Sequence, residues 1–409
     1  MVSPIQGIAV SVIIALCVSA ALVESKPKVD PDTGLIRVIY FGEALMGAGF
    51  ITPFISQDPM MALTPVPFND MTLQDDARAL RMYFPRHERE INEGYDAVII
   101  ADAAETHFPH KIQNWIKSGV IEHGLGLLMG GGPQSFGGYG PMGAPGWDGS
   151  VVEEVLPVLC LKDWTYNLGH RYRLIPTDGY HDHPLVSKIP WSQVPLFCRN
   201  RVLPKQGSVV VGQSDKYPPG SPILIYTEVG DGMSEAFVFD WGGNGPQDFH
   251  RWDYAPMVIS NLIYYIVRVA IPEDTSLMLK LRTMLTTYSS MRRYAVSIID
   301  FAEKFGANVN RAEAAFRSSS DERRWVAGLY LEGDHQGSLA KLEDALDSLK
   351  AVSELAMEAK DEALFWVYVI EWFTVTGTAM FSGAILWTLM VKKANYREVA
   401  LTRLHSESS

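Results

Sequence analysis

Trp372–Val391 reads WFTVTGTAMFSGAILWTLMV, twenty residues without a charge. A helix needs about twenty apolar residues to cross the hydrocarbon core of a bilayer. No other feature constrains the chain as strongly, because a core helix of a globular domain rarely stays uncharged for so long. Trp366, Tyr368 and Trp372 crowd one end and Trp387 the other, as aromatic belts do at membrane interfaces. Lys392, Lys393, Arg397 and Arg403 follow the run, whereas Glu354, Glu358, Asp361 and Glu362 precede it. By the positive-inside bias the C-terminus lies in the cytoplasm and the bulk of the chain outside it. The predicted organisation is a membrane helix over 365–391 and a cytoplasmic tail over 392–409.

A second uncharged run, Gly7–Val23, has signal-peptide length, with small residues at Val18-Ser19-Ala20 where a peptidase would cut. It lacks a Lys/Arg leader, so residues 1–24 are read as either a signal peptide or an N-terminal anchor. The net charge of −12 excludes nucleic acid as a partner, since no basic stripe is present to release counterions.

Between the two runs the pattern changes once. Leu35–Gly42 and Tyr95–Asp102 are β-branched apolar strands, and Gly124–Gly130 supplies a third. A helix from about Pro109, with Ile112, Trp115 and Ile116 on one face, connects the latter two, so the strands pair in parallel. Ser208–Gln213, Pro222–Val229 and Glu235–Gly242 are further strands, the last two joined by the turn signal Gly230-Asp231-Gly232. Met257–Val267 is an apolar helix that closes the unit. These segments predict an open, mostly parallel α/β sheet with helices on both faces and an antiparallel edge, over 35–270. After Pro272 helix formers dominate. Ser276–Phe305 is one long helix, a Gly-Asp break separates two more, and Leu339, Leu342, Leu346, Leu349 and Val352 step by three and four. That stripe needs a partner, and Ser276–Phe305 is the obvious one. Residues 275–362 are therefore read as an all-α helical stalk leading into the membrane helix.

The segment GLLMGGGPQSFGGYGPMGAPGWDG, Gly126–Gly149, stands out in the sheet region for its wealth of glycine and its lack of Lys and Arg. A phosphate loop would need Gly-Lys-Ser/Thr at its end, and no Lys or Arg occurs between Lys117 and Lys162. A dinucleotide site would need a helix opening directly after the loop, and Pro133, Pro141 and Pro145 prevent it. No cofactor is expected. A nucleophile elbow would place Ser or Cys at the strand tip. Here the tip offers Gly131, Gly132 and Pro133, and Ser135 lies beyond it. His181-Asp182-His183, with His170 or His250, is weighed as a metal set, but so short a spacing gives poor ligand geometry and no metal is assigned. Glu43, Asp102 and Asp240 each follow an apolar strand and can meet at the crevice of an open sheet, or cap neighbouring loops. The candidate crevice is therefore Gly131, Gly132, Ser135, Phe136, Glu43, Asp102, His181, Asp240 and His250, with Tyr139 and Trp147 as further apolar walls. Cys160 and Cys198 remain after loss of the Cys17 segment, and in an oxidising compartment they are expected to form a disulfide.

In chain order, RVIYFGEALMGAGF, YDAVIIADA, GLLMGGGPQSFGG and VVEEVLPV resemble the class I glutamine amidotransferase-like family. HPLVSKIP and FVFDWGG…DFHRWDYAPMVISNLIYYIV are similar to its trehalose-utilisation-type relatives, and the stalk with EWFTVTGTAMFSGAILWTLMVKK to membrane-anchored members. The resemblance implies a flavodoxin-like sheet with its site at the strand C-terminal ends, where Gly130–Gly138 would lie. It does not bring the activity. Glutaminases of the family use a cysteine at the elbow and a His paired with an acid on a later loop, and neither is in place here. The expected role is ligand binding or envelope assembly by a non-catalytic, membrane-anchored domain outside the cytoplasm. A hydrolase using carboxylate, His or metal chemistry at the same crevice is the alternative. A structural scaffold acting through stalk and membrane helix is another. The partners expected are the lipid bilayer, an envelope protein or a small-molecule ligand. Thr378, Ala379, Ser382 and Gly383 also give small-residue spacing for homo-oligomer contacts in the membrane.

Overall fold

The apolar runs become strands wherever they are flanked by turn residues. The computed structural model describes residues 27–43, 51–68, 84–137, 146–163, 165–167, 170–241 and 247–406. The run Gly7–Val23 and Tyr139 lie outside the described residues. The chain order begins β1 (Ile36–Glu43), α1 (Ile51–Ser56), β2 (Met61–Phe68), α2 (Glu88–Gly94), β3 (Ala97–Ala101), α3 (His110–His123) and β4 (Gly126–Gly131). It continues through β5 (Val158–Cys160), β6 (Tyr166–Asn167), β7 (Leu174–Pro176), α4 (Pro184–Ser187), β8 (Arg199–Asn200), β9 (Val202–Pro204), β10 (Val209–Ser214), β11 (Pro222–Val229) and β12 (Gly232–Asp240). Five helices follow: α5 (Gln247–His250), α6 (Ala255–Ile266), α7 (Thr275–Lys304), α8 (Asn310–Leu331) and α9 (His335–Ser406).

The main sheet runs β2-β1-β3-β4-β12-β11-β10-β7, with β8 pairing on the end of β12 and β6 on β8. Pairing is parallel from β2 to β12 and antiparallel from β12 to β7. The parallel half has the flavodoxin-like order, and the antiparallel half is larger than an edge strand. Every residue of β3, β4 and β12 is buried, as expected of strands covered on both faces. Helix α1 packs with α6, and α2 with α3, giving the two helical layers. Pro65 and Pro67 punctuate the edge strand β2, where a missing N–H costs no ladder bond and discourages further pairing. Strand β2 and the small strands between residues 158 and 204 carry no clear alternation, and the sequence reading passes over them. The register Gly42↔Ala101↔Gly130 aligns the C-terminal ends of β1, β3 and β4, and a shift in β12 brings Asp240 opposite Gly131.

The chain divides into two compact units, Met1–Thr283 with Ala327–Ser338, and Met284–Val326 with Leu339–Ser409. The division falls inside α7 rather than at Pro272. Its physical reason is a buried polar cluster in the first unit. Arg282 pairs with Asp58 and donates to Ser260 Oγ (2.7 Å) and Tyr330 Oη (3.2 Å), while Tyr264 Oη donates to Asp58 (2.5 Å). The first turns of α7, the end of α8 and the start of α9 are thereby part of the α/β unit.

In the second unit Ile298, Ala312 and Ala356 from three helices form one buried cluster, with Ile299 and Leu355 against it. Leu342, Leu346, Leu349 and Val352 are buried as the stripe requires. Helix α9 continues without a break from the stalk through the apolar run. Among the described residues it is the helix long and apolar enough to cross a membrane, and none of its apolar window is buried.

Candidate functional site

The strand ends at β3 and β4 meet in a closed elbow. Asp102 follows β3 in a left-handed conformation (φ 49°), and its carboxylate accepts the Gln134 N–H at 2.8 Å. The Asp102 N–H donates to Ser135 Oγ at 2.9 Å, and Ser135 N–H closes a turn on Gly132 O at 3.1 Å. From β8, the Asn200 side chain completes the elbow. Gly132 N–H donates to Asn200 Oδ1 (2.9 Å), and Asn200 Nδ2 donates to Gly132 O (3.0 Å) and Ser135 O (2.8 Å). The glycines are there for close approach. A Cβ at Gly132 would stand 2.5 Å from Asp102 Oδ1, and one at Gly131 would stand 2.3 Å from Val238 O. Phe136 and Trp147, expected as crevice walls, are instead fully buried, with Trp147 Nε1 donating to Ala103 O at 3.0 Å and its ring against Phe108. The apolar free energy of two large aromatics outweighs their exposure in a crevice. Glu43 ends β1, and its side chain lies outside what is described.

A second group forms where Asp240 ends β12. Tyr166 Oη donates to the Asp240 carboxylate, and burial, then the nearby Asp240 charge, pushes the phenol well above its ordinary range. Asp240 N–H donates to Cys198 O at 3.2 Å, and Tyr172 Oη reaches the same carbonyl at 3.3 Å. The Arg199 guanidinium lies over the Tyr172 ring, 4.8 Å from its centroid. Cys198 is thus brought near the elbow, but it is buried. The expected disulfide is not formed: Cys160 and Cys198 are both free and buried. Cys160 sits in β5, opposite Val202 of the separate β5–β9 ribbon, whereas Cys198 leads into β8 of the main sheet. Burial raises the Cys160 thiol above its ordinary pKa, which makes it a poor nucleophile.

The histidines do not join these carboxylates. His250 Nε2 donates to Trp241 O at 2.8 Å, and burial lowers its pKa, disfavouring the charged imidazole. His181 is exposed in the turn before α4. His183 caps α4, accepting from Leu185 N–H (3.4 Å), and its Nε2 meets Tyr265 Oη at 3.0 Å. The His-Asp-His triplet therefore splits between an exposed and a half-buried histidine, because Pro184 starts a helix whose N-cap is His183. Among the described residues no three His, Cys, Asp or Glu groups are placed to hold a metal. A surface cavity of about 600 Å³ lies instead against Arg37, Ala62, Phe84 and Tyr95, on the side of the sheet where β1 and β2 begin.

Glu235, cross-strand from Tyr226, is completely buried and neither carboxyl oxygen has a hydrogen-bond partner. Burial raises its pKa well above the ordinary carboxylate value of 4.5. The folded chain therefore keeps this proton while the unfolded chain loses it, so stability falls as pH rises above about 4.5. Glu235→Gln, which cannot ionise, should match the parent near pH 4 and become progressively more stable than it above that, by about 1.4 kcal/mol per pH unit until the folded group titrates. Thermal unfolding from pH 4 to 8 reads this directly. Parallel Tm curves for the two proteins would contradict it.

Asn200, Tyr166 and Arg282 were not legible as partners of these groups. Asn200 stands 68 residues from Gly132 along the chain and sits in a two-residue strand with no pattern of its own.

A doubly wound α/β sheet with a glycine elbow at its central strand end places the candidate site at the strand C-terminal ends. Residues 72–268, the greater part of the α/β unit, match the family described as "Putative glutamine amidotransferase". Two solved structures to which the chain shows similarity are a cytoplasmic protein from Salmonella typhimurium and a β-galactosidase from Bacillus circulans sp. alkalophilus. The first is 19% identical, with 57% of this chain and 98% of that chain covered and a TM-score of 0.45. The second is 10% identical, with 60% of this chain and 32% of that chain covered and a TM-score of 0.32. The chain thus spans about a third of the galactosidase. A search of curated proteins finds no match.

Proposed function

We propose that the protein is a membrane-anchored member of the amidotransferase-like family whose α/β domain binds or assembles with a partner and does not hydrolyse glutamine. The observation that carries this reading is the closed elbow. Glutamine hydrolysis needs an accessible thiolate at the strand tip, an imidazole base and free N–H groups for the oxyanion. At this tip Gly132 N–H is taken by Asn200 and Gln134 N–H by Asp102. Of the two cysteines in the described fold, both are buried, and His250 is held on a backbone carbonyl. In this reading α9 spans the cell membrane once. Lys392, Lys393, Arg397 and Arg403 stay in the cytoplasm, and the α/β domain lies outside.

Full-length protein in detergent should release no ammonia from glutamine above the buffer rate. Release that disappears in Cys198→Ala would overturn the non-catalytic assignment. Protease added to intact cells should remove the α/β domain and spare a tag placed after Ser409. Protection of the domain would overturn the orientation.

A further inference from the structure

We infer that the turn joining α7 to α8 is a second membrane contact, with Phe301 and Phe305 entering the interfacial layer of the bilayer beside the point where α9 enters it. The inference rests on the reading that the apolar part of α9 spans a membrane.

Register sets the level of the turn. Short connections join α7 to α8 and α8 to α9, so α8 runs back and α7 and α9 run the same way. The antiparallel register of α7 and α8 is fixed by Tyr288 Oη donating to Ser319 O at 3.1 Å and by the packing of Ile298 with Ala312. Ala356 of α9 belongs to the same buried cluster as Ile298. Phe305 lies seven residues beyond Ile298, a rise of about 10 Å at 1.5 Å per residue. The same rise from Ala356 reaches Ala363, the last buried residue of α9. Phe365 and Trp366 follow at 60% and 56% exposure, and from Leu364 to Val391 the only charge is Glu371. The tip of the hairpin therefore stands level with the start of the apolar run.

The tip presents apolar surface there. Phe301 and Phe305 are 41% and 43% exposed, and their rings touch with centroids 4.6 Å apart. The same level carries charge: Glu303, the Asp300–Lys304 ion pair, and Lys360 with Asp361 on α9. Aromatic rings among charged groups suit the headgroup layer and not the hydrocarbon core. Lipid is the occupant favoured over a second copy, because α9 exposes Phe365, Trp366, Tyr368, Ile370 and Trp372 on all sides just beyond. A protein partner would cover one face, whereas a bilayer surrounds the helix.

The test uses full-length protein in a Cys17→Ser background, reconstituted in phosphatidylcholine vesicles. A polarity-sensitive fluorophore is placed at Phe305→Cys, at Phe381→Cys in the middle of the apolar run, or at Lys341→Cys on the stalk. Lipids brominated at shallow or deep acyl carbons serve as quenchers. The expected result is a blue-shifted label at position 305, quenched several-fold more by shallow than by deep bromines. Position 381 should be quenched by deep bromines and position 341 by neither. Quenching at 381 with position 305 behaving like 341 would overturn the inference while leaving the membrane span intact. A blue shift at 305 that bromolipid does not quench, but that fades on dilution of the protein in the vesicles, would show a second copy on this surface and also overturn it. Absence of quenching at 381 would remove the span on which the inference stands. A label at Phe301→Cys repeats the measurement should the first substitution disturb the turn.

Discussion

Replacing Arg282 by alanine should lower the stability of the α/β unit by about 3–5 kcal/mol, the cost of leaving one member of a buried ion pair without its partner. Arg282 and Asp58 are both buried. Burial penalises the guanidinium charge, and Asp58, Tyr330 and Tyr264 together more than offset that penalty, so the Arg282 pKa is raised. Without Arg282 the Asp58 carboxylate keeps only the Tyr264 hydroxyl and the Met60 N–H (3.1 Å) as the donors seen in this cluster. The pair also ties the first turns of α7 and the end of α8 into the α/β unit, so its loss should loosen those helix ends as well. Urea unfolding followed by tryptophan fluorescence gives the size of the effect. The double substitution Asp58→Asn, Arg282→Met removes both charges and keeps an acceptor for Tyr264, and it should recover most of the loss. A single Arg282→Ala change costing under about 1 kcal/mol would mean that water reaches Asp58 in place of the guanidinium.

Asn200→Ala should cost about 3 kcal/mol or more, since it leaves Gly132 N–H, Gly132 O and Ser135 O without their side-chain partner in a buried elbow, at about 1–3 kcal/mol for each group left unsatisfied. Asn200→Asp retains the acceptor for Gly132 N–H but sets a carboxylate against two carbonyl oxygens, so it should not rescue. Gly132→Ala tests the same elbow from the other side. Its φ of 153° and a Cβ 2.5 Å from Asp102 Oδ1 leave no room for a side chain. Denaturation midpoints for the three variants should all fall. A near-parental midpoint for Asn200→Ala would show that the elbow is open to solvent, and with it the case for a closed, non-catalytic tip would be lost.

The local pattern determined most of the architecture. Contiguous apolar runs made β1, β3, β4, β11 and β12 legible, and in β3 and β4 those runs are buried on both faces. The three- and four-residue spacing of Leu342, Leu346, Leu349 and Val352 announced a helix with a buried stripe, and those four residues are buried. The apolar run of α9 was legible from composition alone, since its length and lack of charge are what a membrane crossing requires. The glycines after β4 announced a tight turn at the right place.

What filled that turn was decided by tertiary structure. Asn200, Tyr166 and Cys198 reach the strand ends through short strands without periodicity, and only the folding of the 150–205 segment over β12 brings them there. The same holds for Asp58 and Arg282, 224 residues apart, each an unremarkable charge in its own stretch. It also holds for His181 and His183, two residues apart in sequence, one left in solvent and the other half-buried against Tyr265 at the start of the helix it caps. A polar residue's role depends on which buried groups it must satisfy. Those groups are chosen by long-range packing, whereas an apolar residue declares its burial through its spacing alone.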